Sequence, residues 1–341
     1  SMCFLVGFAK DLWEDNYQAP LEEVIEDTWK RISKAVASVE KDKVRKKWQE
    51  EFYNSLYDFK LVPGGRIIAN CGVKERKNVT LFNCFTHNPY DIGMKDPDSI
   101  EGIYELVKRQ AHTLKSEGGY GTNLSFIRPA GTYINGIGSR TPGVLKFAEL
   151  WDKSSEIITS GSEKQIGGKK NDEKNKIRKG AMMLLISIWH PEIEDFIIAK
   201  TTPNRLTKFN LSVGITDGFI KAVKEDLNWE LVFPDTKYSK YITEWNGDII
   251  EWKNKKYPIV VYKTIKAREL WNKIMKATYT RNEPGVIFLD LANKLNPLSY
   301  CENIMQTNPC FTGDMRILTH KGYVTFKELS GTQTSALNSN D

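Results

Sequence analysis

Two motifs in this sequence contain residues that could carry chemistry. Cys84 lies in Asn-Cys-Phe at 83–85, directly after two apolar residues, so the pattern places its thiol on or at the end of a strand. Such a thiol offers redox or nucleophilic chemistry, although a cysteine in that setting is more often a small buried hydrophobic residue. Asn308 precedes Pro309-Cys310, and on its own that tripeptide predicts a turn that ends a helix.

The remaining candidate motifs are weak when each is taken alone. The stretch 116–121 is rich in glycine but is neither GxGxxG nor GxxxxGK, and it predicts a turn between a helix and a strand. The 4 histidines have no metal-ligand spacing, so no catalytic role is assigned to them. The 5 cysteines are odd in number and lack CxxC spacing, which argues against a disulfide framework and against a metal site.

A basic segment runs from Gly161 to Gly180, with seven lysine or arginine residues against three acidic ones. A segment with this many charges cannot pack as core. Two interpretations stay open: a solvated surface loop, or a loop that orders around phosphate oxygens, which need several ammonium and N–H donors.

The elements that must position these residues change in character near residue 60. Apolar residues recur at helical spacing from Pro20 to Asp42, and a second amphipathic stretch follows through Tyr57, so residues 1–60 are predicted to form a helical segment. Beyond Pro63-Gly64-Gly65, residues 61–309 alternate short apolar runs with helical patterns.

This second region predicts an α/β domain with a largely parallel sheet, because strands covered on both faces are continuous apolar runs. Strands are predicted at 122–127, 181–188, 209–215, 229–233 and 286–289. Helices are predicted at 100–114, 144–158, 191–200, 217–223 and 267–278.

Length and composition exclude several classes of protein. A chain of 341 residues allows about two domains, and 40% hydrophobic residues suffice to bury a core, which excludes a wholly disordered chain. The net charge of +6 is too small to indicate nucleic-acid binding. The apolar run at 2–9 is too short to span a bilayer and lacks the features of a signal peptide. These features, together with cysteines whose number and spacing do not indicate disulfides, predict a soluble cytoplasmic protein that binds neither membranes nor nucleic acid.

Taken together and in order, the motifs resemble those of the catalytic subunit of ribonucleotide reductases. The series comprises PGGRI at 63–67, NCF at 83–85, DSIEGI at 98–103, GGYG at 118–121, RPAG at 128–131, RKGAM at 178–182, HPEI at 190–193, FNLSV at 209–213 and TNPC at 307–310. The Gly-Gly-Arg and Asn-Pro-Cys motifs are most similar to those of the adenosylcobalamin-dependent class II enzymes. A class I large subunit, which needs a separate radical-bearing subunit, is the alternative.

The resemblance implies a particular fold. Enzymes of this family form a ten-stranded α/β barrel of two parallel five-stranded halves, with a finger loop through the middle and a helical segment in front. By that resemblance the chain comprises the front segment at 1–60, the first half-barrel at 61–309, and a short β-rich tail at 310–341. The C-terminal remainder of the reductase is then an implied partner.

The resemblance also implies a chemistry. Replacing the ribose 2′-hydroxyl by hydrogen requires a radical at C3′, which a cofactor-generated cysteine thiyl starts. Cys84 matches the family cysteine that delivers reducing equivalents and ends in a disulfide, which a thioredoxin-like reductant reopens. Asn308 matches the asparagine that holds the ribose hydroxyls. Asn83, Cys84 and Gly119 match groups that line the ribonucleotide substrate, whether diphosphate or triphosphate.

An allosteric effector site is implied as well. The family binds a deoxynucleoside triphosphate at the interface of a homodimer, and the matching positions here are Asp98, Ser99, Ile100, Arg128 and Asn135. Arg178 falls where the family places the loop that carries the identity of the effector to the substrate site. This position gives a phosphate-binding or base-reading role of the basic segment equal weight with that of a solvated loop.

The resemblance breaks after Cys310. The family continues with Gly-Glu, whereas this chain has Cys-Phe-Thr-Gly-Asp at 310–314, which resembles the C-x-x-G-D opening of an intein. Short strands are predicted at 315–319 and 323–326. Cys310 therefore has two candidate identities: the splicing nucleophile that attacks the Pro309 carbonyl, or the radical-forming cysteine of a diverged enzyme.

Several functions follow from these alternatives. The leading hypothesis is the N-terminal part of a ribonucleotide reductase, interrupted by an intein and inactive without its remainder. If the intein is split, its C-terminal half is a further implied partner, which joins the remainder in trans. A non-catalytic nucleotide-binding module, or a self-splicing precursor whose own chemistry is thioester formation at Cys310, are the other hypotheses.

Overall fold

A computed structural model describes residues 7–90, 92–134, 137–160, 181–202, 204–308, 316–319 and 322–325. The chain divides into two compact units, one of residues 1–81 with 309–341 and one of residues 82–308. Each unit is considered by itself.

The first unit is built from helices. They are α1 (Phe8–Asn16), α2 (Ile25–Ala37), α3 (Asp42–Leu56) and α4 (Gly65–Asn70). Of the apolar stripe predicted between residues 20 and 42, Trp29 and Ile32 lie on α2 and are buried in the core of this unit, whereas Leu21 and Val39 lie outside the helix and are exposed. Arg31 extends from the same helix and donates Nη2–H to the carbonyl of Ile68 at 2.8 Å, which joins α2 to α4.

The second unit alternates strands and helices. Its helices are α5 (Ile100–Lys115), α6 (Val144–Ser160), α7 (Ile193–Ile197), α8 (Asp217–Lys224), α9 (Tyr241–Glu244), α10 (Ile249–Asn254), α11 (Ala267–Arg281) and α12 (Leu289–Leu295). Its strands are β1 (Cys84–Thr86), β2 (Gly119–Asn123), β3 (Tyr133–Ile134), β4 (Ser139–Arg140), β5 (Met182–Ser187), β6 (Asn210–Ile215), β7 (Asn228–Pro234), β8 (Ile259–Lys266) and β9 (Gly285–Phe288).

Five of these strands form one parallel sheet in the order β1-β2-β5-β6-β9. Every residue of β2 and β5 is buried, as expected for a sheet covered on both faces. Strands β3 with β4 and β7 with β8 form separate antiparallel hairpins. In the tail, β10 (Arg316–Thr319) pairs antiparallel with β11 (Gly322–Thr325).

The α/β prediction with a parallel sheet is confirmed, and α5, α6, α8 and α11 begin where they were predicted. Ser99 explains one of these boundaries, because its hydroxyl accepts a hydrogen bond from the Gly102 amide at 3.1 Å and caps α5. None of the described helices is long and apolar enough to cross a membrane.

Three predictions need correction. The strand predicted at 122–127 begins at Gly119 and ends at Asn123, because its glycines lie inside the strand and not in a turn. The strand predicted at 229–233 forms β7, but it pairs with β8 outside the parallel sheet. The helix predicted at 191–200 extends only over α7, with a 3-10 turn at 199–201 after it.

Candidate functional site

Strands β1 and β2 place Cys84 beside the glycine motif. Their parallel register pairs Cys84 with Gly119, and the Gly119 amide donates a hydrogen bond to the Asn83 carbonyl at 2.7 Å. Cys84 is an exposed thiol and not part of a disulfide. This exposure differs from the usual buried cysteine of a strand, so a second reactant can reach this residue.

The segment 303–308 passes over the same two strands and places Asn308 there. Asn308 donates its Nδ2–H to the Phe85 carbonyl at 2.8 Å, and Asn123 on β2 donates to the Met305 carbonyl at 2.9 Å. Asn293 on α12 exchanges two hydrogen bonds with the Ile304 backbone, at 2.7 and 2.8 Å. Two of these four hydrogen bonds therefore hold the irregular segment against the sheet, and the other two hold it to α12.

Asn308 also presents an acceptor that the protein does not use. The residue is 7% exposed, and its Oδ1 atom is buried with no hydrogen-bond partner among the described residues. A Cβ built on Gly119 would lie 3.4 Å from this oxygen. Because a buried acceptor without a donor costs free energy, this oxygen is suited to receive a hydroxyl from a bound ligand.

The glycines of the 118–121 motif make these approaches possible. A side chain on Gly118 would meet the Phe85 ring at 2.9 Å, and a Cβ on Gly121 would overlap the Thr307 carbonyl. Tyr120, which alternates with Gly119 and Gly121 along β2, is fully buried and stacks on His87. Ser116 and Glu117 form the predicted turn after α5, whereas Gly119 and Gly121 lie inside β2, where they allow close backbone approach.

A second cluster forms around Asp98 and Arg128, where the sequence predicted an effector site. The Asp98 carboxylate accepts hydrogen bonds from the Arg128 amide at 2.9 Å, from the Arg128 Nε–H, and from the Tyr241 hydroxyl at 2.6 Å. Burial raises the pKa of Asp98 to about 6, and the positive charge of Arg128 limits this rise. The guanidinium carbon of Arg128 lies 5.7 Å from the centre of the Tyr241 ring.

The backbone on either side of Arg128 is held by buried side chains. The Phe126 carbonyl accepts from the indole N–H of Trp245 at 2.8 Å, and the Ile127 carbonyl lies 2.9 Å from Nε2 of His190. The Glu192 carboxylate accepts from the Ala130 amide at 3.1 Å and from the first amide of α6 at 2.8 Å.

His190 acts here as a neutral structural residue. Its Nδ1 accepts from the Glu192 amide at 3.1 Å, so Nε2 carries the proton and donates it to Ile127. Burial lowers the pKa of His190 to about 4, which keeps the ring uncharged near neutral pH. The sequence indicated no role for His190 or Glu192, although HPEI was among the motifs that carried the resemblance.

The other predicted site residues are distributed as follows. Ser99 is the cap of α5, and Ile100 is the exposed first residue of that helix. Asn135, Arg178 and Cys310 lie outside the described residues. In the part of the chain that the structure describes, no three His, Cys, Asp or Glu side chains are grouped to hold a metal ion.

Comparison with known proteins matches both units. The family described as "Ribonucleotide reductase, barrel domain" matches residues 83–312, and "Ribonucleotide reductase, all-alpha domain" matches residues 5–76. A vitamin B12-dependent ribonucleoside-diphosphate reductase of Thermoplasma acidophilum is 32% identical over 273 residues, which cover 80% of this chain and 29% of that protein.

Two further relatives show the same pattern. A vitamin B12-dependent ribonucleoside-diphosphate reductase of Mycobacterium tuberculosis is 28% identical over 277 residues, covering 81% of this chain and 33% of the relative. A ribonucleoside-diphosphate reductase subunit alpha of Chlamydia muridarum is 25% identical over 291 residues, which cover 83% of this chain and 25% of that relative. The chain therefore spans at most about one third of the length of these relatives.

Proposed function

Because the chain belongs to the family of ribonucleotide reductase large subunits, we propose that it forms the N-terminal part of an enzyme that reduces ribonucleotides to 2′-deoxyribonucleotides. The observation that carries the proposal is the convergence of the exposed Cys84 thiol and the buried Asn308 amide oxygen at Gly119. A thiol and a hydroxyl acceptor at one sheet edge are what reduction at a sugar carbon requires.

In the proposed reaction, Asn308 accepts a ribose hydroxyl through Oδ1, and backbone groups of Asn83 and Gly119 line the sugar. The 2′-carbon loses its hydroxyl as water and gains hydrogen, which consumes two electrons and two protons. Cys84 and a second cysteine supply these as thiols and end as a disulfide. A thioredoxin-like dithiol then reduces that disulfide for the next turnover.

The proposed radical source is adenosylcobalamin, since two relatives are named vitamin B12-dependent. His190 does not fit an axial ligand of a cobalt ion, because both of its ring nitrogens are engaged within the core. We therefore assign cofactor binding to the part of the enzyme beyond this match. A class I enzyme with a separate radical-bearing subunit is the alternative.

The proposed partner for catalysis is the remainder of the reductase, which supplies the second half of a ten-stranded barrel. Strand β9 is an edge of the described sheet, and apolar side chains near it are exposed, including Phe288 at 41% and Leu295 at 72%. Exposed apolar groups beside a sheet edge favour docking of further strands.

We also place the effector site of a homodimeric enzyme at Arg128, with Asp98, Ser99 and Ile100 close by and Asn135 and Arg178 as further proposed contacts. Arg128 is 17% exposed at its side chain, and its two Nη groups make no hydrogen bond to a described residue. These donors support binding of the phosphates of a deoxynucleoside triphosphate.

The test of function uses this chain joined to, or mixed with, the C-terminal remainder. With adenosylcobalamin and a dithiol, we expect deoxyribonucleotide formation that this chain by itself does not support, because it spans only about one third of the length of its relatives. Deoxyribonucleotide formation by the isolated chain would contradict the proposal. Activity that depends on a separate radical subunit would instead assign class I, and effector binding without turnover would favour a nucleotide-binding module.

A second proposed activity concerns Cys310. The C-x-x-G-D motif, the β10–β11 hairpin after it, and the end of the barrel-domain match at residue 312 favour an intein junction. Cys310 would then attack the Pro309 carbonyl and form a thioester. We expect dithiothreitol to cleave the chain after Pro309, as detected by mass spectrometry, and Cys310→Ala to prevent cleavage. Cleavage that persists in Cys310→Ala would contradict this role.

A further inference from the structure

The segment 126–130 is fixed at four backbone groups by side chains from separate parts of the sequence. Trp245 binds the Phe126 carbonyl, and His190 binds the Ile127 carbonyl. Asp98 binds the Arg128 amide, and Glu192 binds the Ala130 amide. The backbone of Arg128 therefore has little freedom, and only its side chain can change orientation.

The orientation of the guanidinium depends on two groups. Its Nε–H donates to Asp98, and its plane lies near the ring of Tyr241 at 5.7 Å. The Asp98 Oδ2 atom, which accepts from the Arg128 Nε–H, also accepts from the Tyr241 hydroxyl at 2.6 Å. Tyr241 thus contacts Arg128 through its ring and, by way of Asp98, through its hydroxyl.

Tyr241 is itself rigidly placed. It is 2% exposed, begins the short helix α9, and packs against the rings of Phe233 and Trp252 at centroid distances of 6.4 and 6.2 Å. A hydroxyl on a ring that cannot move is a fixed donor to a buried carboxylate. Without it, the pKa of Asp98 would rise further and the carboxylate would hold Arg128 less well.

We propose that Tyr241 is a positioning residue, which orients Arg128 through Asp98 so that the Nη groups face the phosphates of a deoxynucleoside triphosphate. This inference rests on the proposed effector site. It adds to that site a residue of α9, which lies more than a hundred positions after Arg128 in the sequence. Tyr241 does not itself contact the ligand.

The test replaces Tyr241 by phenylalanine, which keeps the ring and removes the hydroxyl. Tyr238→Phe is the matched control, since Tyr238 packs on Trp252 in the same cluster but its hydroxyl bonds no described residue. By isothermal titration with each of the four deoxynucleoside triphosphates, we expect Tyr241→Phe to weaken binding about 3- to 30-fold, typical of indirect coupling, and Tyr238→Phe to leave it unchanged.

A second readout is the NMR signal of the Arg128 Nε–H, assigned by its loss in Arg128→Lys. We expect Tyr241→Phe to shift this signal and to speed the exchange of its proton with water. The NMR signals of the backbone amides in the sheet should keep their chemical shifts. If the wild-type chain binds no triphosphate, the effector proposal fails, and the NMR signal still decides whether Tyr241 orients Arg128. Unchanged affinity with an unchanged signal in Tyr241→Phe would overturn the inference.

Discussion

Replacing Cys84 by serine is expected to abolish deoxyribonucleotide formation by the completed enzyme. Serine has nearly the size of cysteine, so the β1–β2 register and the Gly119–Asn83 hydrogen bond should persist. A hydroxyl cannot give up electrons to form a disulfide, so the reduction at the 2′-carbon has no electron source. We expect turnover to fall by roughly 10³-fold or more, the scale for loss of an essential reacting group.

Cys301→Ser is the matched control, because Cys301 is also an exposed thiol and its sulfur donates to the Leu298 carbonyl in the turn after α12. Deoxyribonucleotide formed per enzyme is measured for both variants with adenosylcobalamin and a dithiol. We expect Cys301→Ser to retain wild-type turnover and substrate affinity in Cys84→Ser to stay within a few-fold. Turnover by Cys84→Ser within tenfold of wild type would exclude Cys84 as the reductant.

The sequence was most informative where one physical effect dominates. The apolar runs at β5 and β6 are buried on both faces, so their composition alone identified them as strands of a parallel sheet. Strand β2 was placed three residues too late, because its glycines are selected by contacts with Phe85 and Thr307 that local patterns do not contain. Helices α9 and α10 were missed because four to six residues are too few to establish a helical period.

The candidate site was predictable in a similar, uneven way. Cys84 and Asn308 were identified through ordered motifs, and the structure brings them to one sheet edge although Asn308 and its partner Phe85 are 223 residues apart. The bond from Tyr241 to Asp98 joins residues 143 apart and comes from the unpredicted helix α9. No local pattern signals such a contact, since the tyrosine is selected by tertiary packing of aromatic rings.

Replacing Gly121 by alanine is expected to lift the segment 303–308 from the sheet. The new Cβ would overlap the Thr307 carbonyl and lie 3.0 Å from the Thr307 carbonyl carbon, and these are backbone atoms that cannot rotate away. Overpacking of this kind typically costs about 1–3 kcal/mol, so the hydrogen bond from Asn308 to Phe85 should be lost or weakened. Displacement of Asn308 by about 1 Å would reduce turnover of the completed enzyme about 100-fold.

Gly218→Ala is the control for this change, because a Cβ at Gly218 in α8 meets nothing closer than 4.0 Å and alanine favours a helix. We expect urea unfolding to show a lower free energy for Gly121→Ala and an equal or higher one for Gly218→Ala. Limited proteolysis should cut Gly121→Ala faster within 303–308 while α5 and β5 stay protected. Wild-type turnover with wild-type proteolysis in Gly121→Ala would show that the close approach of Thr307 to Gly121 does not position Asn308, and the sugar-binding role of its amide oxygen would lose its structural basis.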